Sequence, residues 1–281
     1  MKRLNKVLRA PAKYHGGKTR LLNFIIPKLE YNPIFVDTCV GMGSISLNVD
    51  EVFEKHFCFD LDEQLINMWL SLQQEGNKVV EILSSVDYCE ENFLFAKRNV
   101  PGPRYARAAD MIIRSRFSRG GLGETFAWSD RTRGGLPGDL NSWQTFRSDV
   151  IGRIVERVQP MTFAHGCLRD LMERLGLVDV SKTVYCDVPY VSEARTAKDV
   201  YQHEMLTYEK DAWPGVLTHE GLLKFLKKNK GVSYLSGYDN FLYQTYLSNY
   251  PAYRYETCNN SSQSKKKAKR IEVLWEINGG Y

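Results

Sequence analysis

No CxxC pair occurs among the six cysteines of this 281-residue chain (Cys39, Cys58, Cys89, Cys167, Cys186 and Cys258). Scattered cysteines speak against a structural zinc site and against a disulfide framework, and they fit a reducing cytoplasm. Each reads as a small buried apolar residue before it reads as a nucleophile. No apolar run approaches the ~18–20 residues a membrane helix needs. The basic opening MKRLNKVLRAPAKY has no apolar centre and no small-residue cleavage site, so no secretory signal is expected. Internal repeats are absent as well. What remains is an ordinary globular composition, 43% hydrophobic and 25% charged, long enough for one large domain or two smaller ones. The net charge of +5 is mild but unevenly placed. Arg and Lys gather in residues 97–133 and again at Lys265–Arg270, which suits either a polyanion partner or a solvated face.

Short apolar runs and helical spacings alternate along most of the chain. PIFVDT (33–38) and HFCFD (56–60) read as buried strands ending in an acid. In 62–74, Leu65, Met68, Trp69 and Leu72 fall on one helical face. Further helices are expected at 77–86, 104–117, 146–158, 168–175, 219–229 and 239–247. Strands are expected at 161–164, 182–186, 232–236, 252–256 and 271–277. Alternating strand and helix argues for an α/β fold, a mostly parallel sheet covered on both faces. The last two strands flank a polar, lysine-rich connection and suit an antiparallel hairpin. Residues 88–145 interrupt the alternation and are expected to form an inserted region. Within them 118–145 carry six glycines and one proline, with arginines interleaved with Phe126, Trp128 and Trp143. That composition reads as a long functional loop or flap.

Four stretches carry chemistry. In FVDTCVGMGSISLNV (35–49) a strand runs into Gly41-Met42-Gly43 and then an expected helix; the glycines permit a sharp turn and close approach of a ligand. A dinucleotide fingerprint wants a third glycine where Ser46 stands, so a nucleoside without pyrophosphate is the better guest. Asp60 ends the next strand, nineteen residues after Gly41, where an acid can accept from ribose hydroxyls. Asp62 competes for that role, but its position suits a helix N-cap. APAKYHGGKTRLLNFIIPKLE (10–30) contains the GKT of a phosphate loop, but Ala12 occupies the first glycine position. Lastly, DVPY (187–190) follows a buried strand. A carboxylate, a stiff corner and an aromatic ring suit an exocyclic amine on a flat base. Asp187 and the carbonyl of Val188 can face the two N–H groups, and the Tyr190 ring offers a stacking surface.

Taken in order, KYHGGK, CVGMG, the 88–145 segment and DVPY resemble the Dam-like class of DNA adenine-N6 methyltransferases. Their order is KxxGGK, FxGxG, a target-recognition insert and DPPY. The tail RIEVLWEIN resembles the closing strand of that class, and the insert resembles its phage and prophage members. The resemblance implies a Rossmann-like, doubly wound sheet with an antiparallel C-terminal hairpin. The catalytic domain would be 1–87 with 146–281, and 88–145 a smaller, mostly helical recognition insert. It further implies S-adenosylmethionine as cofactor, double-stranded DNA as partner, no metal, and a monomer or weak dimer in the cytoplasm of a bacterial or phage-infected cell. Residue by residue, Tyr14 and Lys18 would contact the cofactor or target pocket. Asp37, Gly41 and Gly43 would line the methionine and adenosine moieties, Asp60 would hold the ribose, and Cys167 would lie near the adenine. Asp187, Val188, Pro189 and Tyr190 would form the amino-group site. Arg116, Arg119, Arg131, Arg133 and Asn141 are the candidate DNA contacts, with Arg107, Arg114 and Lys265–Arg270 as further phosphate contacts. Three departures stand out: Val188 replaces the first proline, Cys39 replaces an aromatic residue before the glycine turn, and Cys167, beside His165 and Gly166, departs from the Asp-Phe or similar pair that the class often carries near the cofactor adenine. Rival readings are a catalytically degenerate DNA-binding relative and a methyltransferase acting on cytosine N4 or RNA. A dinucleotide oxidoreductase is disfavoured by Ser46, and protection of foreign DNA from restriction rests on family analogy alone.

Overall fold

The computed structural model describes residues 7–13, 17–49, 53–98, 100–194, 204–212, 216–258 and 269–278. Among them the strands, in chain order, are β1 (Ile34–Asp37), β2 (Lys55–Asp60), β3 (Thr132–Arg133), β4 (Leu136–Pro137), β5 (Met161–His165), β6 (Lys182–Cys186), β7 (Gly231–Gly237), β8 (Ala252–Cys258) and β9 (Lys269–Ile277). The chain divides into two compact units. The first comprises residues 1–26, 40–49 and 62–165; the second comprises 27–39, 50–61 and 166–281. No helix among the described residues is long and apolar enough to cross a membrane.

The sheet of the second unit has six strands in the order β2-β1-β6-β7-β9-β8. β1 pairs in parallel with β2 on one side and β6 on the other, and β6 pairs in parallel with β7. β9 then runs antiparallel to both β7 and β8. This is the doubly wound, Rossmann-like order with a reversed final hairpin. β1 and β6 are buried almost throughout, which is why they read as unbroken apolar runs and not as alternating ones. The one basic residue there, Lys182, is 1% exposed. Its ammonium reaches the carbonyls of Val178 (3.4 Å) and Val180 (3.1 Å), and burial lowers its pKa to about 8. Strand order reverses between β1 and β6. Such a switch point opens a crevice at the carboxyl ends of the strands, where ligands of this fold class sit.

The first unit is mostly helical. Asp62 caps the Glu63–Gln74 helix, its carboxylate accepting from Gln64 N (2.8 Å) and Leu65 N (3.3 Å). Leu65, Met68, Trp69 and Leu72 are all buried, as their spacing required. The Arg104–Arg116 helix packs on Glu63–Gln74, on Gly76–Ser85 and on Glu90–Lys97. Its partners thus begin before residue 88. After the glycine turn, residues 44–49 form successive turns instead of the expected helix, closed by Leu47 N–H to Gly43 O (2.9 Å). Residues 118–145 are more ordered than a flap. β3 and β4 form a hairpin across Gly134 (φ 62°) and Gly135 (φ 81°), a pair of positive φ angles that matches the strand twist and that glycine adopts without strain. A helix follows at Gly138–Thr145. It buries Trp143, whose indole N–H donates to Val86 O (2.9 Å) and whose ring meets Phe117 edge-on at 4.8 Å. The glycines hid this helix from the sequence reading, because its single apolar anchor is one tryptophan. The expected 146–158 helix opens with a π turn at Phe146–Val150 before Ile151–Arg157.

Gly231, at the start of β7, has φ +100°, and a Cβ there would lie 2.4 Å from the Lys182 carbonyl oxygen. Strain and collision act together, so Gly231→Ala should cost about 2 kcal/mol or more. The expected readout is a lower urea midpoint at an unchanged slope. An unchanged midpoint would contradict the β6–β7 register.

Candidate active site

Parallel pairing sets the carboxyl ends of β1, β2 and β6 along one edge of the second unit. Asp37 ends β1 and is 2% exposed. Asp60 ends β2 and Asp187 directly follows β6; both are half-buried. The crossing at the switch point is tied by Thr38 N–H to Tyr185 O (3.0 Å) and by the Thr38 hydroxyl to Cys186 Sγ (3.1 Å). The Cys39 N–H donates to Asp37 Oδ1 (3.4 Å). The carboxylates converge electrostatically on this corner. Burial pushes the Cys39 thiol well up, and Asp60, Cys186, Asp37 and Asp187 push it further. Cys186 rises to about 12, chiefly by burial, then by Asp37 and Asp187. Both cysteines therefore stay neutral thiols.

Beyond Asp187 the motif turns inward. Val188 is 4% and Tyr190 6% exposed. The Tyr190 hydroxyl donates to Glu272 Oε2 (2.8 Å), and its ring meets Tyr238 edge-on at 4.7 Å. Arg270 in turn donates to the Tyr238 hydroxyl (3.4 Å). Glu272 and Tyr238 were not foreseen in the sequence. The available signal was period-two alternation in RIEVLWEIN, which sets the acid of Glu272 on the Arg270 face between apolar Ile271 and Val273. Past β2, the N–H of Gly166 (φ 143°) donates to Asp60 O (3.0 Å), and half-buried Cys167 begins the Leu168–Arg174 helix.

In the first unit the glycine turn is backed by Trp69. Its indole N–H donates to Gly41 O (2.8 Å), and a Cβ on Gly43 (φ +69°) would lie 2.8 Å from its ring. Gly43 therefore admits no side chain. Lys18 is buried. Tyr14 lies outside the described residues, as do Lys265, Lys266 and Lys267. Arg119 and Arg131 are exposed and Asn141 is half-buried; the Arg133 side chain is not among those described. Arg116, expected at a phosphate, is instead turned inward. Its guanidinium donates to Pro11 O (2.5 Å) and Ala10 O (2.7 Å) and lies 3.3 Å over the Phe146 ring. An arginine whose donors are held by backbone carbonyls is not free to meet a phosphate. Among the described residues no group of three or more His, Cys, Asp or Glu is arranged to hold a metal ion.

The family profile of the D12 class of N6 adenine-specific DNA methyltransferases matches residues 14–117. The DNA adenine methylase of Escherichia coli (strain K12) is 26% identical over 211 residues, 73% of this chain and 73% of that one. The DNA adenine methylase of Serratia marcescens is 24% identical over 201 residues, 69% of this chain and 72% of that one. Among solved structures, the rRNA methyltransferase aviRa from Streptomyces viridochromogenes is 15% identical, with a TM-score of 0.42 over 98% of this chain and 90% of that one. A likeness at that level carries no argument.

Burial, with Asp187 adding repulsion, pushes the phenols of Tyr185 and Tyr190 well above their usual value. Unfolded tyrosines ionise near pH ~10 and the native ones do not, so the unfolded state loses protons first. Stability is then intact below pH ~10 and falls as pH rises past it. Phenolate absorbance should appear for these residues together with loss of circular dichroism. Full tyrosine ionisation in a still-folded protein would contradict the burial.

Proposed function

We propose, for a chain that belongs to the Dam-like D12 class of adenine-specific DNA methyltransferases, that its reaction is transfer of a methyl group from S-adenosylmethionine to the N6 amino nitrogen of adenine in DNA. One observation carries the reading. Asp187 stands at the carboxyl edge beside the switch point, with Val188-Pro189-Tyr190 behind it and Tyr190 fixed by Glu272.

The donor set fits the cofactor. Its sulfonium and amino groups are cationic and its ribose hydroxyls donate, while the edge offers the carboxylates of Asp37, Asp60 and Asp187. When bound, S-adenosylmethionine supplies an electrophilic methyl group. In the second unit Asp60 would accept from the ribose hydroxyls, Asp37 would face the methionine end, and Cys167 would lie toward the adenine. In the first, Gly41 and Gly43 would let backbone approach the ligand, and Tyr14 and Lys18 would complete the binding segment.

The target nitrogen is out of reach inside a stacked duplex, so the adenine must leave the stack. Its amine is a poor nucleophile because the lone pair is delocalised into the ring. The Asp187 carboxylate and the Val188 carbonyl, each accepting one N–H, favour a tetrahedral nitrogen with its lone pair aimed at the methyl. Tyr190 would line the base. The apolar burial around Val188 and Tyr190 keeps water away and strengthens the Asp187 hydrogen bond. On the helical unit, Arg119, Arg131 and Arg133 would meet phosphates, which position without specifying. Asn141 and the hairpin side chains would read base edges.

Valine at 188 does not remove this chemistry. It keeps the carbonyl, and Pro189 still restricts its backbone toward the extended region. The freedom gained relative to proline is about 0.4–1 kcal/mol.

Two substitutions test the reading with labelled S-adenosylmethionine, unmethylated DNA and nucleoside analysis of the product. Asp187→Ala should lower methyl incorporation on the order of a hundredfold or more. Retained incorporation removes the assigned role, and N4-methylcytosine in place of N6-methyladenine removes the assigned substrate. Val188→Pro should leave the enzyme active, with a rate raised at most ~2–5-fold. Its inactivation would show that the valine shapes this pocket in a way proline cannot.

A further inference from the structure

Residues Leu8–Lys13 lie in no strand or helix, so their peptide groups depend on side chains for partners. Leu8 and Asn48 make a reciprocal pair: Leu8 N–H donates to Asn48 Oδ1 (2.7 Å), and Asn48 Nδ2 donates to Leu8 O (2.9 Å). The same Nδ2 donates to Ser44 O (2.9 Å), and Thr19 meets Ser44 hydroxyl to hydroxyl at 3.3 Å. The segment is thus tied at its Leu8 end to the turns that directly follow Gly41-Met42-Gly43. The C-terminal end of the basic Arg104–Arg116 helix holds it from the other side. Arg116 donates to the carbonyls of Ala10 and Pro11, and the Ser115 hydroxyl donates to Lys13 O (2.6 Å). Gly121 (φ +80°) backs onto Lys13 so closely that a Cβ would lie 2.7 Å from the Lys13 carbonyl oxygen. Lys13 also reaches Asp139 at 3.9 Å. One short strap therefore joins the basic helix and the glycine turn within the first unit.

We propose that Arg116 is a positioning residue that acts through this strap, holding Leu8–Lys13 against the glycine turn so that the turn is shaped for S-adenosylmethionine. The proposal rests on the reading of that turn given above. The forked guanidinium spans two successive carbonyls, which a lysine ammonium cannot do with the same geometry. Burial, with Arg9 adding repulsion, lowers the guanidinium pKa to about 9, so it remains charged at neutral pH. Removing it leaves two part-buried carbonyls without their donors and frees the strap.

The test uses full-length wild type, Arg116→Ala, Arg116→Lys, Ser115→Ala and Arg119→Ala. Three quantities are read on each: equilibrium binding of S-adenosylmethionine, the salt dependence of DNA binding, and hydrogen exchange in the Leu8–Lys13 peptide. Arg116→Ala should weaken S-adenosylmethionine binding about tenfold, with a smaller loss in Arg116→Lys. Exchange in the strap should quicken in both, and the salt slope for DNA should match wild type. Arg119→Ala should show wild-type cofactor binding. Wild-type cofactor binding by a folded Arg116→Ala overturns the proposal. So does a salt slope reduced by about one phosphate contact with cofactor binding intact, which would put Arg116 on the DNA. If Arg116→Ala does not fold, Arg116→Lys and Ser115→Ala decide the matter by the same readouts. A wild type that binds no S-adenosylmethionine overturns the reading of the glycine turn and the positioning role with it. Faster exchange in Arg116→Ala would then still establish the strap itself.

Discussion

Parallel pairing of β1 with β2 and β6 is the constraint on which the second unit's chemistry depends. Parallel strands end on the same side, so acids placed at their C-terminal ends must gather. Asp37, Asp60 and Asp187 gather in this way although they are distant in the chain. Burial at this corner, with the carboxylates adding repulsion, raises the pKa values of Cys39 and Cys186. Such an edge is poorly suited to an anion and well suited to a cation bearing hydrogen-bond donors. The fold alone prepares it, with no side chain beyond those that end the strands.

The reversed hairpin serves the same edge by another route. β9 runs antiparallel to β7 and brings Glu272 and Arg270 back beside the loop that follows β6. Glu272 takes the Tyr190 hydroxyl, and Tyr238, steadied by Arg270, closes on the ring. The motif residue that would meet a flat base is held by three side chains from outside the motif. This buried polar group is satisfied by a charged acceptor, which makes a short and comparatively strong bond. Tyr190 is thereby a fixed wall and not a mobile lid.

Basic residues on the helical unit divide by burial and not by composition. Arg116 and Arg119 stand three positions apart in one cluster. The first is enclosed by Pro11, Ala10 and Phe146; the second is exposed. Only the second kind can exchange counterions for phosphates, so clustered charge in a sequence overstates the DNA contact surface. Part of that charge serves internal construction, tying the Arg104–Arg116 helix to the segment that runs beside the glycine turn.

Signals carried over a few neighbouring residues were legible in the sequence. Buried runs gave β1, β2 and β6, the Leu65–Leu72 spacing gave a helix, Asp62 declared itself a cap, and the ordered motifs fixed which acids end which strands. These are short-range matters of periodicity, capping and turn geometry, and the chain writes them locally. Glycine-rich 118–145 misled because a type I′ hairpin and a loop call for the same residues, and the Gly138–Thr145 helix shows little but Trp143. What only the tertiary structure decided is which distant groups meet. Tyr190 and Glu272 are 82 residues apart, and Arg116 and Pro11 are 105 apart. No local pattern encodes such pairs, because each partner's own neighbourhood is compatible with an exposed side chain. Burial and backbone geometry, set by the whole fold, turn the one into a brace and the other into a clasp.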